Sequence, residues 1–229
     1  MSAEREHGPV SHAEGEPVPG SLGEVVSCFF RHGSPLILAG ALVAALGART
    51  IEAGWSLVDL AIASAVVALW PIEEWLIHVF VLHFRPKKVG RWTLDLPVAK
   101  THRLHHESPW RVELVFIPLH VYLFIPGLAA LAFAIAPTRA YALTYLVAFF
   151  VLSLHYEWVH LLVHTRYKPR SWLYARLWKN HRLHHFKNEA FWYGVTMLSG
   201  DRILRTAPDK GDVPTSPTAR SLLASNSDE

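Results

Sequence analysis

Cysteine is almost missing from this chain: Cys28 is the single one in 229 residues. One thiol forms no internal disulfide, and no Cys-rich zinc module can be built from it. Its expected role is a small apolar filler near an interface. The first thirty residues also lack a short basic start followed at once by an apolar core. No cleaved leader is therefore expected, and the apolar runs further on read as retained spans. Large apolar residues are scarce in residues 1–20, which are rich in Glu, Gly, Pro and Ser, so a disordered tail is expected over 1–21. A second is expected over 207–229, where Pro, Ser, Thr and Asp dominate. Between them, 22–206 reads as one domain that carries the apolar runs. His7 and His12 lie in the first tail without ligand spacing and are left out of any site.

Charge is scarce in long stretches, while 51% of the chain is hydrophobic and there are nine tryptophans. That composition excludes an ordinary soluble globule. The formal charge of +3 would raise nucleic acid in a soluble protein. Here Lys and Arg cluster beside apolar runs, so anionic lipid and membrane orientation account for them and no nucleic-acid partner is expected.

Four apolar segments follow a short interfacial helix expected at Leu22–Phe30. The first, Pro35–Ala48, is about 21 Å of helix, short of the roughly 30 Å hydrocarbon core, and spans only if its flanks contribute. The second runs from Trp55 to Phe84 with a kink expected at Pro71. The third is Val112–Ala136 and the fourth Ala140–His164, joined by a tight turn at Pro137, Thr138 and Arg139. The expected fold class is all-α: an integral membrane bundle of about four transmembrane helices with a cytosolic helical cap. Seven Lys/Arg lie in 85–111 and ten in 165–210, against Arg49 and Arg139 alone in the opposite loops. That split places both basic segments in the cytosol. Trp55, Trp70, Trp75, Trp92 and Trp110 read as interfacial belts. Asp59, deep in the second span, needs a partner that the sequence does not name.

What is abundant is histidine, fifteen in all, and ten fall in four clusters. His78 and His83 precede KTHRLHH, which holds His102, His105 and His106. His160 and His164 precede KNHRLHH, which holds His181, His184 and His185. The tight clusters carry the same five letters, HRLHH, at an offset of 79 residues, a weak sign of duplication. Neutral imidazole is a good ligand for iron, zinc or copper, and no packing requirement produces this order. Ten are too many for one ion and suit two ions sharing a site, which reads as a dinuclear metal enzyme. In a helix HxxHH puts three rings on one face, as does the i,i+4 pair His160 and His164. His78 and His83 are five apart, about 140° round an ideal helix. They converge only if the helix ends or bends, or if they serve different metals. From Trp55 to His78 and from Ala140 to His160 the helix rises about 35 and 30 Å, so both loose pairs emerge at one membrane boundary.

Glu74, Glu157 and Asp201 are the candidates to accept the outer ring N–H of a ligand imidazole. His155 reads as a buried hydrogen-bonding residue and His120 as structural or pocket-lining. Arg103, Arg111 and Arg182 are suited to a lipid head group or to phospholipid contact.

Over roughly residues 70–206 this pattern resembles the fatty acid hydroxylase superfamily, which contains fatty acid 2-hydroxylases, sterol desaturases and oxidases, and carotenoid hydroxylases. The histidine clusters match its order and spacing. HHESPWRVELVFIP (105–118) is similar to the HH, Pro, Leu-Val-Phe-Pro stretch of the 2-hydroxylases. YGVTMLSGDRILRT (193–206) is similar to the closing segment, except that Gly200 stands where the family usually has Trp before the Asp. The resemblance implies two metal ions, iron in the family with zinc as another occupant, and O2 as co-substrate. It carries over as ligands His78, His83, His102, His105, His106, His160, His164, His181, His184 and His185, and names no catalytic residue beyond the metal centre. It implies hydroxylation of a lipid acyl chain, at carbon 2 on the strength of 105–118. No fused cytochrome b5-like domain is expected, and a separate electron-transfer protein is expected instead. A carotenoid or sterol hydroxylase or desaturase would use the same site. A metal carrier would place ligands near the bilayer midplane, and a haem protein needs only one or two axial histidines.

Overall fold

A computed structural model describes residues 15–52 and 54–222. His7, His12 and the far ends of both expected tails lie outside them. The chain is mainly helical. Helices α1 (Leu22–Arg31), α2 (Gly33–Ile51) and α3 (Leu57–Ile77) come first, and α3 runs on into a π-helical turn, His78–Leu82. A small hairpin follows, β1 (Lys87–Val89) with β2 (Trp92–Leu94), and then α4 (Pro97–Glu107). Helices α5 (Ile125–Ile135), α6 (Arg139–Val163), α7 (Trp172–Phe186) and α8 (Ser199–Ile203) complete it. The hairpin was not expected. Its two-residue loop is set by Gly90, whose φ of 61° is open to glycine without strain.

Among the described residues, four helical stretches are long and apolar enough to cross a membrane: Gly33–Ile51, Leu57–Leu82, Val112–Ile135 and Arg139–Val163. The first is 19 residues rather than 14, so its flanks do contribute, and about 28 Å of helix nearly matches the hydrocarbon core. The third is not one regular helix. It is two 3-10 pieces, Val112–Leu114 and Leu119–Phe124, leading into α5. Pro118 has no N–H for a helical bond and disfavours a helical residue before it, which is why the chain breaks there. His120 falls in the second 3-10 piece and is exposed, which corrects its expected structural or pocket-lining place.

Helix α6 is the axis of the bundle, with 61% of its most apolar window buried against 17–28% for the other three stretches. Leu146, Phe149, Phe150 and Leu152 form one core with Leu38, Trp70 and Tyr122. Leu161 and Leu162 form a second with Val25, Cys28 and Phe29 of α1 and with Val112, Val115 and Phe116. Cys28 is thus a core filler. At the end of α2 distant from the histidines, Arg49 is the partner of Asp59. Its Nη2 donates to Asp59 Oδ1 at 2.8 Å, Thr144 Oγ1 donates to the same oxygen at 2.5 Å, and the guanidinium lies over Trp55. Two of the five expected belt tryptophans turn inward instead. Trp70 is core and donates to Thr196 Oγ1 at 3.1 Å, and Trp75 donates to Thr206 Oγ1 at 2.9 Å. Both ties bring the segment after α7 back onto α3. There α8 lies so close that a Cβ on Gly200 would sit 2.2 Å from the Pro71 carbonyl.

The tails differ from expectation where they are described. Residues 15–21 are tied down: Glu16 N donates to Glu113 Oε1, and Arg166 N to Pro19 O. Residues 207–222 have no regular structure but lie against the protein, with Val213, Ala219 and Leu222 buried. Proline and serine blocked a helix there without preventing side-chain and carbonyl contacts.

Candidate metal centre

All ten clustered histidines meet at one end of the bundle. They form two groups of five, and within each group one ring nitrogen of every member lies within 4.8 Å of the others. The first group is His78, His83, His102, His106 and His184. The second is His105, His160, His164, His181 and His185.

Each group has the same construction. A loose pair at the end of a membrane-length helix supplies two rings, and an i,i+4 pair from one HxxHH helix supplies two more. The fifth ring crosses over from the other HxxHH helix. So α4 sends His102 and His106 one way and His105 the other, while α7 sends His181 and His185 one way and His184 the other. The rings of His106 and His185 stack at 4.0 Å where the groups meet. The five-residue spacing of His78 and His83 is resolved by the π turn. His83 N donates to His78 O at 3.0 Å, an i+5 bond, and the two rings come within 5.0 Å.

Five of the ten rings are aimed by backbone carbonyls, whereas Nδ1 of His105, His181 and His185 has no partner among the described residues. Paired with a carbonyl, Nδ1 is the protonated nitrogen and Nε2 is left as the free lone pair. In the first group Nδ1 of His78 donates to Tyr193 O (2.7 Å), that of His184 to Phe191 O (2.8 Å) and that of His106 to Ala219 O (2.9 Å). In the second, His160 Nδ1 donates to Val115 O (2.7 Å), and His164 is bonded to the Pro109 carbonyl.

None of the three expected carboxylates touches a histidine. Each instead anchors the loop that supplies a carbonyl. Glu74 accepts from the Val195 and Thr196 amides and from Thr196 Oγ1. Asp201 accepts from the Tyr193 and Gly194 amides (2.9 and 2.8 Å), Thr206 Oγ1 and Asn180 Nδ2. Glu157 accepts from the Ile117 amide (3.1 Å), Tyr122 OH (2.9 Å) and Ser34 Oγ. The carbonyls lie on backbone, where no sequence pattern marks them, so their carboxylate anchors were legible and their role as intermediaries was not.

The donor set fits metal ions. Nε2 of His78, His102, His105, His106 and His160 is buried and has no partner among the described residues, and buried polar atoms are rarely left so. Nε2 atoms of His164 and His181, His181 and His185, and His83 and His184 lie 3.0–3.2 Å apart. Adjacent donors on an octahedral ion with bonds of about 2.1 Å lie roughly 3.0 Å apart. Burial holds His83, His102, His105, His164, His181, His184 and His185 well below the ordinary imidazole range, with neighbouring rings adding to the effect in each. His106 is pushed down to about 3, chiefly by burial. These rings are therefore neutral near pH 7, which is the ligand form.

His155 is half-buried, joins neither group and makes no hydrogen bond among the described residues, so it is not the hydrogen-bonding residue expected. Arg103 is not free for a head group, because it is buried, donates to Phe84 O and pairs with Asp95 at 2.5 Å. Arg182 lies over Trp110 and Trp178. Arg111 is exposed and 3.8 Å from Glu113.

Among the described residues, two hollows reach the histidines. An apolar cleft of about 200 Å³ is walled by residues such as Leu38, Trp70, Val81, Leu114 and Phe149, and it touches His102 of the first group and His160 of the second. A smaller, more polar hollow is lined by His83, Arg85, Glu189, Ala190, Tyr193 and Leu222.

Residues 63–206 match the model of the family described as fatty acid hydroxylase. The chain is 27% identical over 143 residues to dihydroceramide fatty acyl 2-hydroxylase FAH2 of Arabidopsis thaliana, covering 62% of this chain and 58% of that protein. It is 28% identical over 146 residues to fatty acid 2-hydroxylase of Macaca fascicularis, covering 63% of this chain and 39% of that protein. The chain thus spans well under two thirds of the length of these relatives. Among solved structures, full-length Scs7p, with only its hydroxylase domain visible, superposes with a TM-score of 0.65 at 24% identity. The match covers 80% of this chain and 68% of that one, and shows a shared fold.

Proposed function

This chain belongs to the fatty acid hydroxylase family, and from that we propose that it is an O2-dependent di-iron membrane hydroxylase acting on a lipid acyl chain at carbon 2. The observation that carries the reading is the apolar cleft, which opens among the membrane-length helices and ends on one histidine of each group. Both relatives named above are 2-hydroxylases.

The ten histidines are the ligands, five to each ion. Bound iron supplies dioxygen activation, with two reducing equivalents from a separate electron-transfer protein, so that a C–H bond becomes C–OH and one water is released. The protein places the reactants. Leu38, Trp70 and Phe149 line the path of the acyl chain with apolar surface and limit water. The carbonyls of Val115, Phe191, Tyr193 and Ala219 keep Nδ1 protonated and Nε2 aimed inward. The histidines sit at the ends of the spans, the level at which a lipid head group also lies. A carbon next to that head group reaches the centre without the chain bending back from the bilayer midplane. The basic segments 85–111 and 165–210 support a cytosolic location for this end of the bundle.

The test is oxygen-18 labelling of membranes supplied with a reductant and candidate lipids. Label on carbon 2 of an acyl chain is expected. Label confined to a carotenoid ring or a sterol would move the chain to that substrate class and leave the metal ligands as assigned.

A further inference from the structure

Of the three carbonyls that aim the first group, two lie on the loop directly after α7. The third, Ala219 O, comes from much further along, in the segment that follows α8. That segment ties the two HxxHH helices together. On the α7 side, Ser216 N donates to Lys187 O (2.7 Å), Asn188 Nδ2 donates to Pro214 O (3.3 Å) and Thr218 Oγ1 donates to Glu189 Oε1. Trp192 Nε1 donates to Pro208 O at 3.2 Å. On the α4 side, Arg220 Nε donates to His106 O (3.2 Å) and its Nη2 to Glu107 O (2.7 Å). Those two carbonyls are in the last turn of α4 and have no partner within the helix, so a cation there both satisfies and stabilises them. Between the two anchors Ala219 is buried, and its carbonyl receives the His106 Nδ1–H. Leu222 closes the polar hollow beside His83, another member of the same group. Among the described residues, no histidine of the second group is hydrogen-bonded to this segment.

We infer that residues 207–222 are a positioning strap for the first metal ion, with Ala219 O fixing the tautomer and aim of His106 and with Arg220 and Glu189 holding Ala219 in place. This rests on the reading of the two histidine groups as metal centres. Without the strap, His106 keeps its place on α4 but loses the acceptor for Nδ1–H, and water admitted to that face competes for the ion. Outer acceptors of this kind commonly change metal affinity about 10- to 100-fold. The second ion depends on Val115 O and Pro109 O and is untouched.

The experiment uses the full chain in detergent, loaded anaerobically with iron(II), with iron per chain measured by mass spectrometry and helix content by circular dichroism. One variant replaces 213–222 with a Gly-Ser segment of equal length. The others are Arg220→Ala and Arg220→Lys. Two ions are expected in the unaltered chain and about one in the strap variant, at unchanged helix content. Arg220→Ala should weaken one of two binding steps about tenfold or more, and Arg220→Lys should recover most of it, since an ammonium can still donate to the α4 carbonyls. Two tightly held ions in the strap variant overturn the inference, as does loss of both ions together at full helix content. If the strap variant loses helix, Arg220→Ala decides, because Arg220 is exposed and its loss leaves no cavity. Two unchanged binding steps in Arg220→Ala would overturn the role of the strap. An unaltered chain that takes up no iron would overturn the metal reading itself.

Discussion

At the scale of single residues, half of the site is built in layers: an imidazole held by a backbone carbonyl, and for His78, His160 and His184 the loop carrying that carbonyl held by a buried carboxylate. The inner layer makes a simple prediction. His105 and His184 each cross from one HxxHH helix to the other group, so His184→Ala should lose the first ion and His105→Ala the second, while His155→Ala should keep both. Metal content per chain checks this, and full content in both of the first two variants would contradict the ligand set. The outer layer separates two substitutions of Glu157. The Ile117 amide and Tyr122 OH both donate to Oε1, one oxygen. Glu157→Gln keeps such an oxygen and should cost little. Glu157→Ala leaves buried donors unpaired, at about 1–3 kcal/mol for each, and frees the loop carrying Val115 O. Thermal melts together with metal content should show the Ala variant unstable and short of one ion, and the Gln variant close to the parent chain.

At the scale of elements, the two loose pairs solve one problem in two ways. His160 and His164 are four apart and share a face at the end of the α6 helix, while His78 and His83 are five apart and share a face through the π turn. The extra residue therefore sets register and is not itself a ligand. Deleting Phe80 should turn the π turn into an α turn, leave the pair four apart and retain most of the first-site metal. Inserting Ala after Phe80 puts the pair six apart, about 120° round an ideal helix, beyond what the π turn closes, and should empty that site. Metal content of the two variants tests this, and equal loss in both would give the extra residue a role beyond register. The same turn shows how far sequence reasoning reaches. The i+5 spacing demanded a departure from the α-helix, and the departure is there, but hydropathy cannot say which kind. The spans were legible because a membrane helix announces itself by length. The break at Pro118, the Gly90 hairpin and the packed strap at 207–222 were not, because short irregular segments owe their placement to tertiary hydrogen bonds and carry little periodicity of their own.

At the scale of the whole molecule, the repeat hinted at by the two HRLHH motifs becomes a reciprocal arrangement. Glu74, four residues before His78, holds the loop after the second HxxHH helix, and Glu157, three before His160, holds the loop after the first. Each half thus fastens the other, and the fifth histidine of each group crosses in the same sense. Which histidine joins which group could not be read from spacing, since one helical face serves both. This mutual fastening requires that the ends of α3 and α6 and both HxxHH helices lie on one side of the membrane. Arg49 sharpens the choice of side. It is fully buried against Asp59 and Thr144, so it is not a free surface charge, and Arg139 is left as the exposed basic residue of the opposite loops. With buried Arg103 left out in the same way, sixteen basic residues in 85–111 and 165–210 then face one, and the cytosolic side should hold the metal centre. The scarcity of cysteine makes the test direct, because Cys28 is 2% exposed and should label poorly. In a Cys28→Ser chain, Lys88→Cys in the hairpin and Arg170→Cys before α7 should react with a membrane-impermeant maleimide only after the cells are opened. Arg139→Cys, at the start of α6, should react in intact cells. Labelling of Lys88→Cys or Arg170→Cys from outside would reverse the orientation. Labelling of only one of those two from outside would break the reciprocal arrangement, since the two HxxHH helices could not then meet.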